Sequence, residues 1–242
     1  MFRLTQKKPK FSVLGLTENL IPTENLALWL RADKGVIIDS SGGIDTVARW
    51  EDQSTNKYHL IQVVKTAQPL FQVSGLNRLP TLSFQENQYL EGNISFTYYT
   101  AYLVSRFMPS PNFGSAMYEI SDDGSVNKSS AFFRENNDFK IRRSVSGNTF
   151  DTSSINVNSD YHIFTCEVQE SLCRLTRGDT VLAESMQQLS IGNGLKYIVG
   201  SLFENYYRLN GNISEIVFYA AAHNESKRKL VKNYLKNKYA LT

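Results

Sequence analysis

Only two cysteines, Cys166 and Cys173, and three histidines, His59, His162 and His223, occur in 242 residues. So few thiols exclude a small scaffold stapled by disulfides, and the scatter of the histidines gives no zinc-ligand spacing. The first ten residues lack the apolar stretch of a secretory signal, and no apolar run reaches the 18 residues of a membrane span. A soluble chain made without Sec-type export is therefore expected, with no membrane insertion. Charge of one sign is scarce too. The net charge is +3, with local basic clusters only at Lys7 to Lys10 and Lys227 to Lys238, and nothing demands a nucleic-acid partner. No G-x-S-x-G elbow and no phosphate-cradling glycine loop appears.

What is present is a globular composition: 41% hydrophobic, 12% aromatic and 20% charged residues, enough to bury a sizeable core. Residues 1–22 are polar, carry Pro9 and Pro22 and show no period, so they read as an arm preceding the domain. From Leu26 the pattern changes to short β-rich runs separated by Gly, Asn, Asp and Ser clusters, the spacing of one all-β sandwich or jelly roll over residues 23–242. The clearest runs are Leu26 to Arg31, His59 to Val64, Thr81 to Phe84, Tyr98 to Phe107, Ala116 to Ile120, Ala131 to Arg134, Phe139 to Val145, Tyr161 to Val168, Leu172 to Thr176, Thr180 to Ser185, Lys196 to Leu202 and Asn212 to Tyr219. In Tyr161 to Val168, alternation places His162, Phe164, Cys166 and Val168 on the face expected to be buried.

One helix is predicted, over 224–240. Asn224 can cap it, Glu225 suits its first turn, and Leu230, Val231, Tyr234, Leu235 and Tyr239 form an apolar stripe. The stripe is expected to dock on the sandwich, leaving the intervening lysines in solvent. If Gln169 and Glu170 turn a tight hairpin, Cys166 falls opposite Cys173 and a cross-strand bridge is conceivable; reduced core thiols are the simpler reading. Arg177-Gly178-Asp179 spells an adhesion tripeptide, but Gly-Asp is also what the tip of a hairpin requires.

Three ordered segments carry a resemblance. Leu26-Ala-Leu-Trp-Leu-Arg-Ala-Asp33, followed by Val47-Ala-Arg-Trp-Glu-Asp-Gln-Ser54 and Leu79-Pro-Thr-Leu-Ser-Phe84, is the first. Tyr161-His162 leading to the Leu172 to Leu182 hairpin is the second, and Gly211-Asn-Ile-Ser-Glu-Ile-Val-Phe-Tyr219 with the helix is the third. Together they resemble laminin-G-like jelly rolls of the concanavalin A-like lectin/glucanase superfamily. The resemblance implies a two-layer antiparallel β-sandwich acting as a non-catalytic recognition or structural module for a glycan or protein surface. Free-standing domains of similar layout occur among bacteriophage tail, fibre or capsid-decoration proteins. That likeness implies a location in the virion, or in the host cytoplasm before assembly, with residues 1–22 contacting other subunits and a homo-oligomer in prospect.

The alternative is a glycoside hydrolase or polysaccharide lyase of the same fold. Hydrolases of this superfamily need an E-x-D-x-x-E strand whose carboxylates share one face. Glu119-Ile-Ser-Asp-Asp123 has Ser121 in the middle position, and Glu215 is followed there by an apolar residue. No Gln precedes a His at the spacing used by the lyases. Trp29 and Trp50 read as core, Asp52 with Ser54 as a turn brace, and Glu215 as a structural carboxylate.

For ligand contact, aromatics on polar loops come first: Phe113, Asn205, Tyr206 and Tyr207, with Tyr98 and Tyr99 behind them. No organic cofactor is expected. Laminin-G-like domains often hold calcium at a loop rim, and here Asp122 and Asp123, or Asp39 and Asp45, would bind it, although ordinary acidic turns are the simpler reading.

Overall fold

The computed structural model describes residues 21–109, 114–122, 128–135, 138–145, 148–151, 159–186, 196–202 and 207–242. They form a two-layer antiparallel β-sandwich with one C-terminal helix. The strands are β1 Leu26–Arg31, β2 Val36–Asp39, β3 Thr46–Trp50, β4 Leu60–Ile61, β5 Leu70–Leu76, β6 Leu79–Gln85, β7 Leu90–Asn93, β8 Tyr99–Phe107 and β9 Gly114–Ser121. They continue as β10 Lys128–Glu135, β11 Asp138–Val145, β12 Asn148–Asp151, β13 His162–Val168, β14 Cys173–Arg177, β15 Thr180–Ser185, β16 Lys196–Val199 and β17 Asn210–Tyr219, before α1 Glu225–Tyr239. The sequence pattern missed β2, β3, β5, β7 and β12, which are short or have little alternation.

The first sheet runs β1–β17–β8–β13–β14–β15, with β6 beside the opening residues of β17. The second runs β2–β3–β4–β7–β16–β9–β10–β11–β12. β5 pairs with β6 and touches β3 at Leu70 and Thr46, so the sheets merge along one edge. Their inner faces enclose the main core, which includes Leu28, Leu30, Trp50, Leu103, Tyr118, Phe132, Phe164, Tyr197 and Phe218. Trp50 is fully buried and donates its indole N–H to the Arg31 carbonyl at 2.8 Å. Tyr99 is also fully buried, its hydroxyl 2.7 Å from Ser130 Oγ. It belongs to this interior and is removed from any glycan-facing surface.

Asp52 braces the turn after β3 as expected. Its carboxylate accepts the backbone N–H groups of Trp29, Ser54 and Tyr58 and the Ser54 hydroxyl, at 2.6 to 2.9 Å. The loop from β13 to β14 is longer than a two-residue turn, with Val168 opposite Cys173 and Cys166 opposite Leu175. The thiols are therefore diagonal neighbours, buried and unbridged. At the next hairpin Arg177 faces Thr180, and Gly178 takes φ +57°, so the Arg-Gly-Asp tripeptide is indeed a turn.

The helix lies on the outer face of the first sheet. Val231, Leu235 and Tyr239 pack with Tyr102, Val104, Ile163, Val217 and Tyr219 in a second core. Both faces of β13 are consequently buried, including Ile163, Thr165 and Glu167, which alternation had assigned to solvent. Leu230, placed in the apolar stripe from sequence, is instead 59% exposed, because the buried face is centred on Val231 and Leu235. Asn224 caps the helix through Oδ1, which accepts the Lys227 N–H at 2.9 Å, a contact worth about 1 kcal/mol.

A buried carboxylate clamps the helix to the sheet. Glu215 of β17 has no exposed surface. Its Oε1 accepts Trp29 Nε1 at 2.6 Å and the Tyr234 hydroxyl at 3.0 Å; its Oε2 accepts Lys238 Nζ at 2.6 Å and the Tyr239 hydroxyl at 2.8 Å. Lys238 also reaches Asp33 at 2.9 Å, and Asp33 holds the Arg31 guanidinium at 2.8 Å. Trp29 lies half-buried in this layer, edge-on to Tyr234 at 6.3 Å, and so serves packing between helix and sheet. Of the five helix lysines, Lys229 is exposed as expected, whereas Lys227, Lys232, Lys236 and Lys238 reach carboxylates of the sandwich.

Candidate functional site

Among the described residues the outer face of the second sheet carries no helix, and its side chains follow from the strand registers. Because alternate residues point outward, lateral pairing sets Arg49, Ile61, Glu91, Ile198, Glu119, Ala131 and Arg142 in one row across β3, β4, β7, β16, β9, β10 and β11. The neighbouring row contributes Asn93, Lys196, Ser121 and Ser129. The centre of the face, Ile198, Glu119, Ala131, Ser121 and Ser129, is buried, and the charged side chains of Arg49, Glu91, Lys196 and Arg142 around it are half-buried. Lys196 reaches Glu91 at 3.1 Å. Glu119 has no exposed surface.

Towards the β9–β11 end the face becomes aromatic. The phenol ring of Tyr207 stacks on Phe133 with centroids 5.5 Å apart and planes 18° from parallel, and the Arg142 guanidinium lies over the same Phe133 ring at 4.7 Å. The Tyr207 hydroxyl donates to Glu135, which also accepts the Lys140 ammonium. Burial pushes the Glu135 carboxyl up, but Lys140, Tyr207 and Arg142 together outweigh it and hold the group below the usual carboxylate range. Gly114, paired with Glu135, makes room for this arrangement. A Cβ there would come within 2.0 Å of the Tyr207 ring.

Arg142, Glu135, Lys140 and Tyr207 are all half-buried. They bring a guanidinium, an ammonium, a carboxylate and a phenol to one corner of the sheet. A guanidinium and a carboxylate can bracket vicinal hydroxyls, and an aromatic ring edge can pack against a sugar's C–H surface, the usual chemistry of a saccharide subsite. Tyr207 is the one expected ligand residue that this corner contains; its φ of +47° turns the chain so that the ring folds back onto the sheet. Phe113, Asn205, Tyr206 and Asp123 lie outside the described residues.

Asp122 is half-buried just beyond β9. Asp39 is taken up by Lys65 at 3.0 Å and by the Ser41 N–H, and Asp45 by the Ser40 hydroxyl. No group of three or more His, Cys, Asp or Glu suited to a metal occurs among the described residues. Sequence reasoning passed over Phe133, Glu135, Lys140 and Arg142. Their signal was the alternation of polar residues with buried Phe132, Phe139 and Ile141, which marks the outward side of β10 and β11.

No family model and no curated protein matches the chain. Solved structures do. The binding domain of Paraclostridial Mosquitocidal Protein 1 is similar with a TM-score of 0.62 at 16% identity, over 89% of this chain and 53% of that one. Domain 4 of an extracellular arabinanase from Geobacillus stearothermophilus, solved with arabinotriose, is similar with a TM-score of 0.60 at 11% identity, over 87% and 98%. The binding domain of Botulinum Neurotoxin DC, in complex with SialylT, is similar with a TM-score of 0.62 at 9% identity, over 88% and 52%. At such identities the likeness is one of fold alone, an antiparallel β-sandwich.

Proposed function

We propose that this chain is a non-catalytic recognition module that binds glycan at the half-exposed β9–β11 corner of its second sheet. The observation that carries the reading is the corner where Tyr207, Phe133 and Arg142 stack beside the Glu135–Lys140 pair. Support comes from fold neighbours solved with saccharide ligands, arabinotriose and SialylT.

The enzyme reading has weaker support. Glu91 and Glu119 face the same side, two strands apart, a Cα separation of about 9 to 10 Å. Paired carboxylates of a hydrolase must touch substrate, whereas Glu119 is fully buried and Glu91 is held by Lys196. A finer placement, in a bacteriophage tail, fibre or decoration protein with residues 1–22 as the anchor, rests on the sequence resemblance.

The test is titration with arabinotriose, a sialylated oligosaccharide and an immobilised glycan panel. Arg142→Ala is expected to weaken the responding ligand about tenfold, the loss of one charge-assisted hydrogen bond, with the thermal midpoint preserved. A blank panel, together with assembly into trimers or larger rings, would replace the proposal with an architectural role; release of reducing sugar from laminarin or alginate would replace it with catalysis.

A further inference from the structure

The opposite side of the sandwich holds a second concave feature, formed between the helix and the β14–β15 hairpin. It is a groove of about 530 Å³, within the size range of small-ligand sites. Its walls carry Arg174, Arg228, Lys229, Lys232 and Lys236 against three carboxylates, Glu167, Asp179 and Glu225. Cations exceed carboxylates by two in the lining, and by one once Glu184, which holds Arg174 at 2.5 Å from outside the groove, is counted.

The carboxylates do not neutralise the groove equally. Glu167 is deep, its side chain 3% exposed, and is spent on Arg174 at 3.2 Å and Arg228 at 2.9 Å, where it fixes both guanidinium groups. Asp179 sits at the lip of the hairpin turn with its side chain 77% exposed, and it meets Lys232 at 3.2 Å and Lys236 at 3.5 Å. Such exposed pairs are weak and easily exchanged. The Asp179 carboxylate occupies the position that an incoming oxyanion would take over.

A second observation points to a ligand independently of charge. Thr176 lines the groove and is 6% exposed, yet its hydroxyl has no hydrogen-bond partner among the described residues. Thr165, its cross-strand neighbour, carries another such hydroxyl. A buried polar group without a partner costs free energy in the unliganded protein, and a bound acceptor relieves that cost. Beyond Asp179 and Lys236 the groove continues into a hollow of about 500 Å³ lined by Tyr161, His162 and Arg177. Two adjoining hollows suit an extended chain of more than one unit.

We propose that this groove binds an acidic saccharide, its carboxylate or sulfate held by Lys232 and Lys236 and its hydroxyls by Thr176 and the fixed guanidinium groups. Among the described residues no aromatic ring lines the first hollow, whereas Tyr161 and His162 line the second, so charge and not stacking selects the unit held in the first. The site lies on the other sheet from the Tyr207 corner and does not depend on it.

The experiment uses the whole chain, titrated at low and at high salt with trigalacturonate, a chondroitin sulfate tetrasaccharide, neutral maltotriose and a single-stranded oligonucleotide. Binding of either acidic saccharide is expected, lost at high salt, with maltotriose silent; which of the two binds tells carboxylate from sulfate. Lys232→Gln with Lys236→Gln is expected to weaken it at least about tenfold, and Thr176→Val to weaken it about tenfold while the thermal midpoint holds or rises. A purely structural Thr176 would give the reverse, a shifted midpoint with affinity unchanged. Equal binding of maltotriose, tighter binding of the oligonucleotide, no binding at all, or affinity unmoved by these variants overturns the proposal.

Discussion

Replacing Glu215 with Gln tests the clamp between helix and sheet. The wild-type carboxylate is fully buried and accepts four donors, from Trp29, Lys238, Tyr234 and Tyr239. A Gln of the same shape keeps one carbonyl oxygen, which can serve two of these donors. Its amide turns N–H groups towards the other two. The substitution also removes the negative charge beneath Lys238, leaving that ammonium with Asp33 alone at 2.9 Å. Breaking a buried ion pair by changing one partner typically costs about 3 to 5 kcal/mol. For a chain of this size, that corresponds to a fall in the thermal midpoint of roughly 6 to 20 °C. Circular dichroism melts of Glu215→Gln, Lys238→Met and the double variant would measure it, with the double expected to lose less than the sum of the singles. A midpoint within about 2 °C of wild type for Glu215→Gln would refute the claim that this carboxylate holds the helix down.

Two further outcomes follow from the same layer. His223 sits under the helix start, its Nδ1 2.9 Å from the Tyr102 hydroxyl, and burial followed by Lys227 and Arg228 lowers its pKa from 6.5 to about 4. Between those values the unfolded chain binds the extra proton, so stability is complete above pH 6.5 and is lost as the pH falls towards 4. Melts across that window should show His223→Gln with a flatter pH dependence than wild type, and an unchanged slope would refute it. At the other helix end Ala240 adopts φ +49°, ψ +46°, a left-handed cap that a Cβ disfavours. Ala240→Gly is expected to raise stability by about 0.5 to 1 kcal/mol in urea titrations, and a loss would show that this cap is unstrained.

Part of the candidate site was legible in the residues themselves. Tyr207 stood out as an aromatic in a polar stretch, but only its positive φ and the gap left by Gly114 turn the ring onto Phe133. Arg142 and Glu135 gave no signal as a pair. They come to one corner through the β10–β11 hairpin, while the row that Arg142 joins crosses seven strands drawn from residues 49 to 198. The groove on the other side was hidden for a related reason. Helix spacing assigned Lys232 and Lys236 to solvent, and only docking of the helix brings them to Asp179, 53 and 57 residues away.

By itself the sequence determined the local terms: period-two alternation in β1, β8, β13 and β17, the capped amphipathic segment from Asn224, and the Gly178–Asp179 turn. These are fixed by side-chain periodicity and backbone preference within a few residues. The lateral order of the strands, the burial of both faces of β13, the role of Glu215 as a four-donor acceptor and the pairing of Thr176 with a cationic wall were decided only by tertiary structure. Each depends on groups far apart in the chain that meet when the helix closes over the first sheet, and no local pattern encodes that meeting.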